Sequence, residues 1–188
     1  MMKQKLLYFF FTCQHSIEEK VIQSEIEISL FSGKIKNEKV SKIKLDKKKR
    51  FIMTYQNLDV TIIEILPQDN ILEDKFLLPD FNYINGTNDF INKQIYIGGY
   101  PSVNIHKNEK HFSSGIIKSV FKNNLNFLHS SDTREGSSGS PIINSDKKVI
   151  GIHNGAYNDL NYGTFIGPII TKLTKEENIE KINDNKPY

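Results

Sequence analysis

The sequence predicts an all-β protein that ends in one helix, and three observations support this fold class. Of the 188 residues, 61 are β-branched or aromatic, including 27 isoleucines, whereas alanine, the best helix former, occurs once. Short segments that alternate polar and apolar residues recur along the chain and are separated by turn residues. Helical spacing is confined to residues 169–182, where Pro168 is placed to start a helix.

The first predicted strand is the apolar segment 6–11, which leads through Cys13 to His15. The same segment follows a basic start and is also compatible with a signal peptide, but no small-x-small cleavage site comes after it. The single cysteine excludes an intramolecular disulfide and favours a reducing compartment. We therefore expect an intracellular protein, with secretion as the alternative.

The later strands are predicted from alternation and from the turn residues that bound them. They lie at 25–30, 42–45, 59–66, 94–98, 140–143 and 148–152. The last two flank Asn144 to Lys147, which is a clear hairpin signal. The basic run 47–50 is interpreted as the solvated end of a hairpin rather than as a localisation signal. Residues 80–92, rich in Asn, Asp and Gly, are the best candidate linker between two halves.

Charge and hydropathy exclude two classes of partner. The net charge is only +3. Of the 25 basic residues 2 are arginine, which is fewer than a nucleic-acid-binding surface would be expected to carry. No apolar run approaches the 18 or so residues that a membrane-spanning helix requires. We expect neither nucleic-acid nor membrane partners.

The segment Gly136-Ser137-Ser138-Gly139-Ser140-Pro141 is the most informative in the chain. Glycines around a serine allow a tight turn that presents a hydroxyl beside its own amide N–H. Acyl transfer needs this combination, because the nucleophile and the donors for the developing oxyanion come from the same few residues. A Gly/Ser segment by itself is more often only a loop.

Two further residues strengthen the chemical interpretation. His15 follows the apolar strand near the start, and Asp59 opens the apolar run 60–63. A carboxylate that leads into a buried strand requires a partner, since an unpaired buried charge is costly. A histidine is the obvious partner.

These residues together resemble the chymotrypsin-fold serine peptidases, and the chain is most similar to the V8-like glutamyl endopeptidases and related intracellular trypsin-like domains. The order His15, Asp59, Ser138 matches that family, with 44 residues from the first to the second and 79 from the second to the third. Further matches are residues 136–141 to the nucleophile motif, 99–101 to the start of the second barrel, 149–153 to the strand lining the substrate cleft, and 161–165 to the last strand.

The resemblance implies two antiparallel β-barrel lobes followed by a C-terminal helix. Residues 1–88 would form the lobe with the histidine and aspartate, and residues 89–188 the lobe with the serine, the substrate pocket and the helix. The family's first barrel normally has two strands before the one that leads to its histidine, whereas 14 residues precede His15 here. These leave room for one such strand, so we expect an incomplete first barrel. Either a truncated fragment or a reduced lobe would explain it.

The resemblance also implies a role for each site residue. Ser138 would be the nucleophile, His15 the general base, and Asp59 the residue that orients the imidazole. The amides of Gly136 and Ser138 would form the oxyanion hole. Residues Asn154, Gly155 and Ala156 would pair with the backbone of a protein or peptide substrate as an added strand. No metal and no cofactor is implied.

Substrate choice at P1, the residue before the scissile bond, is left open by conflicting residues. Thr133 and His153 occupy positions where glutamyl endopeptidases carry a Thr and a His that bind the P1 carboxylate. Asp132 occupies the position where trypsin-like enzymes place the acid that selects Lys or Arg. We favour Glu or Asp at P1, with basic, small or apolar residues as alternatives.

The competing function is a non-catalytic peptide-binding module that keeps the strand 153–156 without a competent triad. It would follow from a loose first lobe that misplaces His15 and Asp59. The other histidines, His106, His111 and His129, have no spacing that suggests a metal site, and we expect them on the surface or at the rim of the cleft.

Overall fold

The described part of the chain is built mainly from antiparallel strands. This computed structural model describes residues 7–24, 26–31, 39–71, 75–83, 88–99, 111–121 and 123–174. Its strands are β1 (Tyr8–Thr12), β2 (Glu27–Phe31), β3 (Lys39–Lys44), β4 (Ile52–Tyr55), β5 (Val60–Ile65), β6 (Gln94–Gly99), β7 (His111–Val120), β8 (Asn126–His129), β9 (Pro141–Asn144), β10 (Val149–Tyr157) and β11 (Leu160–Phe165). Short 3-10 turns and two α-helices, α1 (Glu19–Gln23) and α2 (Gly167–Leu173), connect or follow them. The predicted all-β class is confirmed.

Strands β6 to β11 close into a barrel in the order β10-β11-β8-β7-β6-β9. Every neighbouring pair in it is antiparallel. The predicted hairpin around residues 144–147 is present as β9 and β10. The barrel is filled by large apolar side chains, which are Ile95, Ile97, Ile117, Phe127, Ile142, Ile150 and Phe165.

The N-terminal half does not close into a barrel within the described residues. Strands β1, β5 and β4 form a three-stranded sheet in that order, which we call the N-terminal sheet, and β2 and β3 form a separate hairpin. All six residues of β5 are buried. Its Ile63 and Ile65 pack with Ile43 and Leu45 from the end of the hairpin. In the described part of the chain the first lobe is therefore not a closed barrel, in agreement with the sequence-based expectation.

The solvated-turn interpretation of the basic run 47–50 is wrong for its last residue. Arg50 is buried, and its guanidinium donates to the two carboxylate oxygens of Asp69 at 2.9 Å each and to the main-chain oxygen of Glu64 at 2.7 Å. A charge can be buried when it is paired and hydrogen-bonded in this way. The pattern of the run contains no information about Asp69, which lies far along the chain.

One hydrophobic cluster joins the two halves. Cys13, Val60 and Ile62 from the N-terminal sheet pack with Ile152 of β10 and Ile169 of α2. All five side chains are nearly inaccessible to solvent. Burial of this apolar area holds the N-terminal sheet against the barrel.

Helix α2 begins where the sequence predicts it. It starts at Gly167, has Pro168 in its first turn, and ends at Leu173. Residues 175–182 of the predicted helix lie outside the described residues. Among the residues that are described, no helix has the length and apolar character needed to span a bilayer.

Candidate active site

His15 and Asp59 meet at one edge of the N-terminal sheet. Strand β1 ends at Thr12, and a 3-10 turn over Gln14–Ser16 then carries His15 out of the sheet with half of its side chain exposed. Asp59 lies in the turn before β5, and β5 pairs with β1. The pairing of these two strands brings the two residues together.

The carboxylate of Asp59 contacts both the ring and the main chain of His15. Its Oδ2 lies 2.7 Å from Nδ1 of the imidazole, and its Oδ1 accepts the backbone N–H of His15 at 3.0 Å. A carboxylate at Nδ1 favours the tautomer with its proton on Nδ1, which leaves Nε2 as a proton acceptor. Asp59 has a left-handed backbone with φ of 52°, a conformation that Asp tolerates better than most residues.

The glycine-rich loop that carries Ser138 is attached to both halves. Gly136 and Gly139 have φ of 86° and 82°, in the region that favours glycine. The amide of Gly139 donates to the carbonyl oxygen of His153 at 2.8 Å. A Cβ added at Gly139 would lie 2.8 Å from Oγ1 of Thr12. Glycine therefore permits the close approach of the loop to the end of β1, just before His15.

The hydroxyl of Ser138 donates to the carbonyl oxygen of Asn154 at 3.1 Å. Within the described residues no hydrogen bond joins Ser138 to His15. The structure thus brings His15 and Asp59 into direct contact and places Ser138 against Asn154 of β10, the residue whose side chain reaches Asp59.

Two backbone donors of the loop are unused. The amides of Ser137, Gly139 and Ser140 donate to carbonyl groups at 2.8–3.0 Å. Those of Gly136 and Ser138 have no acceptor anywhere in the described part of the chain. Free amides next to a serine hydroxyl are the donors that a developing oxyanion requires.

The side chain of Asn154 is a site component that the sequence analysis missed. Its Nδ2 donates to the carbonyl oxygen of Asp59 at 3.0 Å and to that of Leu58 at 3.3 Å, and it lies 3.4 Å from Oδ2 of Asp59. Asn154 is buried at a β-bulge in β10, where the register with β11 shifts. An asparagine buried in a strand is unusual enough to have signalled a polar partner.

The remaining residues predicted to bind substrate backbone lie at the end of β10. The pairing of β10 with β9 ends at Ile152, and the backbone of His153 is bonded to Gly139 and Ser140 of the serine loop. Gly155 and Ala156 pair with β11 on one side, opposite Tyr162 and Asn161. Among the described residues, no strand pairs with the other edge of the segment 155–157.

Thr133 and His153, which are predicted to bind the P1 side chain, both contact neighbouring residues. The hydroxyl of Thr133 donates to Oδ1 of Asn161 at 2.6 Å. The ring of His153 has its Nδ1 3.4 Å from Nε2 of His129. Asn161 lies between these two contacts, because its side chain accepts the Thr133 hydroxyl and its backbone is paired with that of His129 across β11 and β8.

His129 and His153 are both buried, so the surface position predicted for His129 is wrong. Burial, together with the neighbouring His153, lowers the pKa of His129 to about 3. Burial also lowers the pKa of His153 to about 4, although a hydrogen bond to the backbone of Tyr162 partly opposes this. Both rings are therefore neutral at pH 7.

Asp132 lies apart from this pair. Its side chain is 71% exposed, and one carboxylate oxygen is 3.7 Å from Nε2 of His111. His106 lies outside the described residues.

Cys13, His15 and Asp59 each offer one ligand atom, and these atoms lie within 4.8 Å of one another. Sulfur, nitrogen and carboxylate oxygen are a donor set that zinc accepts. However, burial, with a smaller contribution from the nearby Asp59, raises the pKa of the Cys13 thiol to about 12, so the thiolate ligand is disfavoured. The absence of a metal in the function stays a prediction.

Similarity to known proteins extends over most of the chain. The model of the trypsin-like peptidase domain family matches residues 3–152. Similar solved structures include a serine endoprotease from Yersinia pestis, with a TM-score of 0.63 and 16% identity over 95% of this chain and 55% of that one. This chain thus spans about half the length of that endoprotease.

Two further structures are similar to a comparable degree. A Glu endopeptidase gives a TM-score of 0.62 with 18% identity over 95% of this chain and 80% of that one. Deg5 gives a TM-score of 0.58 with 15% identity over 87% of this chain and 75% of that one. At these identities the similarity establishes the fold.

Proposed function

The chain belongs to the trypsin-like peptidase domain family, and from this premise we propose that it is a serine endopeptidase acting on protein or peptide substrates. The observation that carries the proposal is the 2.7 Å contact between Nδ1 of His15 and Oδ2 of Asp59. It supports His15 as general base, because Nε2 is left free to take a proton.

In the proposed reaction the Ser138 hydroxyl rotates from the Asn154 carbonyl to Nε2 of His15. Its oxygen then bonds to the carbonyl carbon of the substrate, its proton passes to Nε2, and the carbonyl electron pair moves onto oxygen. The free amides of Gly136 and Ser138 would stabilise this oxyanion. The carboxylate of Asp59 would stabilise the imidazolium.

Collapse of the tetrahedral intermediate breaks the C–N bond and returns the proton from His15 to the leaving amine. The acyl group remains on Ser138 as an ester. A water molecule then gives its proton to His15 and attacks the ester, and collapse of the second intermediate returns the proton to Ser138 and releases the acid. Every proton in this sequence passes through Nε2 of His15.

We propose that the P1 residue is Glu or Asp. Thr133 bonds to Asn161, and His153 contacts His129, the cross-strand partner of Asn161, so a hydroxyl and an imidazole are available in one region for a carboxylate. The exposed position of Asp132 beside His111 gives no support to a basic P1 residue. Binding of an acidic side chain would require the Thr133 hydroxyl to turn away from Asn161.

The P1 proposal is tested with a set of peptides that differ only at P1. Higher kcat/KM after Glu than after Gln, Leu or Lys is expected. Faster cleavage after Lys would overturn the acidic preference, and loss of that Lys preference in Asp132→Asn would assign it to Asp132.

The peptidase proposal is tested by labelling with a fluorophosphonate probe, with Ser138→Ala as the control. We expect labelling of the native chain and none of the variant, because only an activated serine reacts with the probe. A folded native chain without Ser138-dependent labelling would leave the alternative, a peptide-binding module that uses the segment 153–156. This alternative is supported by the position of the Ser138 hydroxyl, which is bonded to Asn154 and not to His15.

A further inference from the structure

We infer that Cys13, His15 and Asp59 form a binding site for zinc or a similarly thiophilic divalent cation, and that an ion bound there inhibits the proposed peptidase. The proposed mechanism gives Cys13 no role, although it lies two residues before His15 and close to Asp59. The cation would take no part in catalysis. The binding site itself is independent of the proposed function, whereas the inhibition rests on it.

The three side chains bring their ligand atoms together at one place in the structure. Sγ of Cys13, a ring nitrogen of His15 and a carboxylate oxygen of Asp59 lie within 4.8 Å of one another. Among the described residues, no other group of three histidine, cysteine, aspartate or glutamate side chains comes this close. Tetrahedral zinc binds sulfur at about 2.3 Å and nitrogen or oxygen at about 2.0–2.2 Å, which places two ligand atoms about 3.5 Å apart. The three atoms therefore need to shift by about 1 Å to surround one ion.

The amide of Asn154 adds a polar group beside these ligands. Asn154 is 2% exposed, and its Nδ2 lies 3.7 Å from Sγ of Cys13 and 3.4 Å from Oδ2 of Asp59. Oδ1 of the same amide is buried and has no hydrogen-bond partner in the described part of the chain. A buried acceptor without a donor is costly. A water molecule on the cation, the usual fourth ligand where the protein supplies three, would give Oδ1 the donor that it lacks.

The donor set determines the class of cation. Thiolate and imidazole ligands suit zinc, whereas calcium and magnesium require oxygen ligands. Burial raises the pKa of the Cys13 thiol and keeps it protonated while no cation is bound. A coordinated thiol is deprotonated outright, so the cation displaces this proton. The ion can enter from solvent past Asp59 and His15, whose side chains are 21% and 50% exposed.

A bound cation would inhibit because it reverses the tautomer of His15. The ion takes the lone pair of Nδ1, the atom that lies 2.7 Å from Oδ2 of Asp59. The thiol proton is released to solvent, and the Nδ1 proton passes through solvent to Nε2. Nε2 is then unable to accept the proton of Ser138. Binding also costs the hydrogen bond that Sγ donates to the carbonyl oxygen of His153 at 3.2 Å.

The binding site is tested by titrating the full chain with cadmium, which replaces zinc and gives an ultraviolet charge-transfer band with a thiolate. Cys13 is the only cysteine, so this band can come from no other residue. We expect the band to saturate at one cadmium per chain, to be abolished by competing zinc, and to be unaffected by calcium or magnesium. His15→Ala should raise the cadmium concentration required by at least about tenfold. A folded native chain without the band, or a band that is unchanged in His15→Ala, would overturn the inference.

Inhibition is tested by fluorophosphonate labelling of Ser138 with and without zinc. Saturating zinc should slow labelling of the native chain by about 100-fold or more, because the general base is lost. Cys13→Ala or Cys13→Ser, with unchanged near-UV circular dichroism, should be labelled like the native chain without zinc and should require about 100-fold more zinc for inhibition.

His111→Ala provides the matched control. His111 lies 3.7 Å from the carboxylate of Asp132, which makes a second contact between a histidine and an acid but without a thiol. This variant should keep the zinc sensitivity of the native chain. Equal zinc sensitivity of the native chain and the Cys13 variants would overturn the inhibitory role. If the native chain is not labelled even without zinc, the proposed function fails, and the cadmium titration still decides the binding site.

Discussion

The two halves of the molecule differ in closure, and the proposed chemistry is divided between them. The barrel closes on itself with six strands and carries Ser138 with the free amides of its loop. The N-terminal half, a three-stranded sheet and a separate hairpin in the described residues, carries His15 and Asp59. The proposed catalysis would depend on how firmly the less closed half is held against the more closed one.

In the described part of the chain, the polar contacts between the barrel and the N-terminal sheet with its adjoining turns are concentrated at two places. At the end of β1, the Cys13 thiol donates to the carbonyl oxygen of His153 at 3.2 Å. At the turn before β5, Asn154 and Thr164 both donate to the carbonyl oxygen of Leu58, at 3.3 and 3.1 Å. Both places adjoin the His15–Asp59 pair. Since an error of about 1 Å can cost on the order of 100-fold in rate, we expect these contacts to govern the proposed activity.

The largest effect is expected when the contribution of the N-terminal half is removed and the barrel is left intact. Asp59→Asn replaces the carboxylate at Nδ1 of His15 with an amide, which favours the wrong tautomer. We expect kcat to fall by about 10⁴-fold, with the near-UV circular dichroism unchanged. A loss of less than about tenfold would show that His15 does not act through Asp59.

A smaller effect is expected from separating the halves at the serine loop. In Gly139→Ala the new Cβ meets Oγ1 of Thr12 at 2.8 Å and the residue must adopt φ of 82°. We expect kcat/KM to fall by about 100-fold and the free energy of unfolding by about 1–2 kcal/mol. Thr12→Ala removes the contacting hydroxyl, so the double variant should recover part of the rate. No recovery would assign the whole loss to backbone strain.

A still smaller effect is expected from the bulged asparagine. Asn154→Ala removes the donor that holds the turn at Leu58 and Asp59. We expect kcat to fall by about tenfold with little change in KM, because alignment is lost while the backbone of β10 stays available to substrate. Asn154→Ser keeps a donor and should retain more of the rate. An equal loss in both variants, or a change confined to KM, would contradict this positioning role.

The smallest effect concerns the barrel alone. Since the pKa of His153 is lowered to about 4, its ring is neutral at pH 8 and can offer a P1 carboxylate only an uncharged donor. As the pH falls toward 5 the protonated form becomes accessible when an anion is bound. The ratio of kcat/KM for Glu over Gln at P1 should therefore rise about threefold from pH 8 to 5. His153→Gln cannot titrate, so its ratio should not change with pH. A ratio that is independent of pH in the native chain would show that His153 does not bind the P1 carboxylate.

Local patterns were sufficient for the elements whose partners lie nearby in sequence. The hairpin β9–β10 follows from a turn flanked by two apolar runs, and α2 from its proline and helical spacing. The contact of His15 with Asp59 followed from a longer-range argument, the cost of leaving a carboxylate unpaired at a buried strand.

Features that depend on distant partners could not be predicted in this way. Strands β7 and β8 escaped notice because Ser and Asn residues interrupt their apolar pattern, and pairing within the barrel compensates for this. The burial of Arg50 depends on Asp69, and that of His129 on the closure of β8 against β11. The side chain of Asn154 is directed at Asp59 by a bulge that is visible only once β10 and β11 are paired.

The position of Cys13 allows its rate of modification to report how often the two halves separate. The thiol has no exposed surface, lies in the cluster that joins the two halves, and is kept protonated by a pKa of about 12. No other cysteine competes with it for an alkylating reagent. Because the buried thiol must become exposed to react, we expect its modification to require movement of the N-terminal sheet away from the barrel, and at high reagent concentration the modification rate should equal the opening rate. A substrate analogue that spans the two halves would lower the modification rate of Cys13, and the size of the decrease would give the coupling between binding and closure.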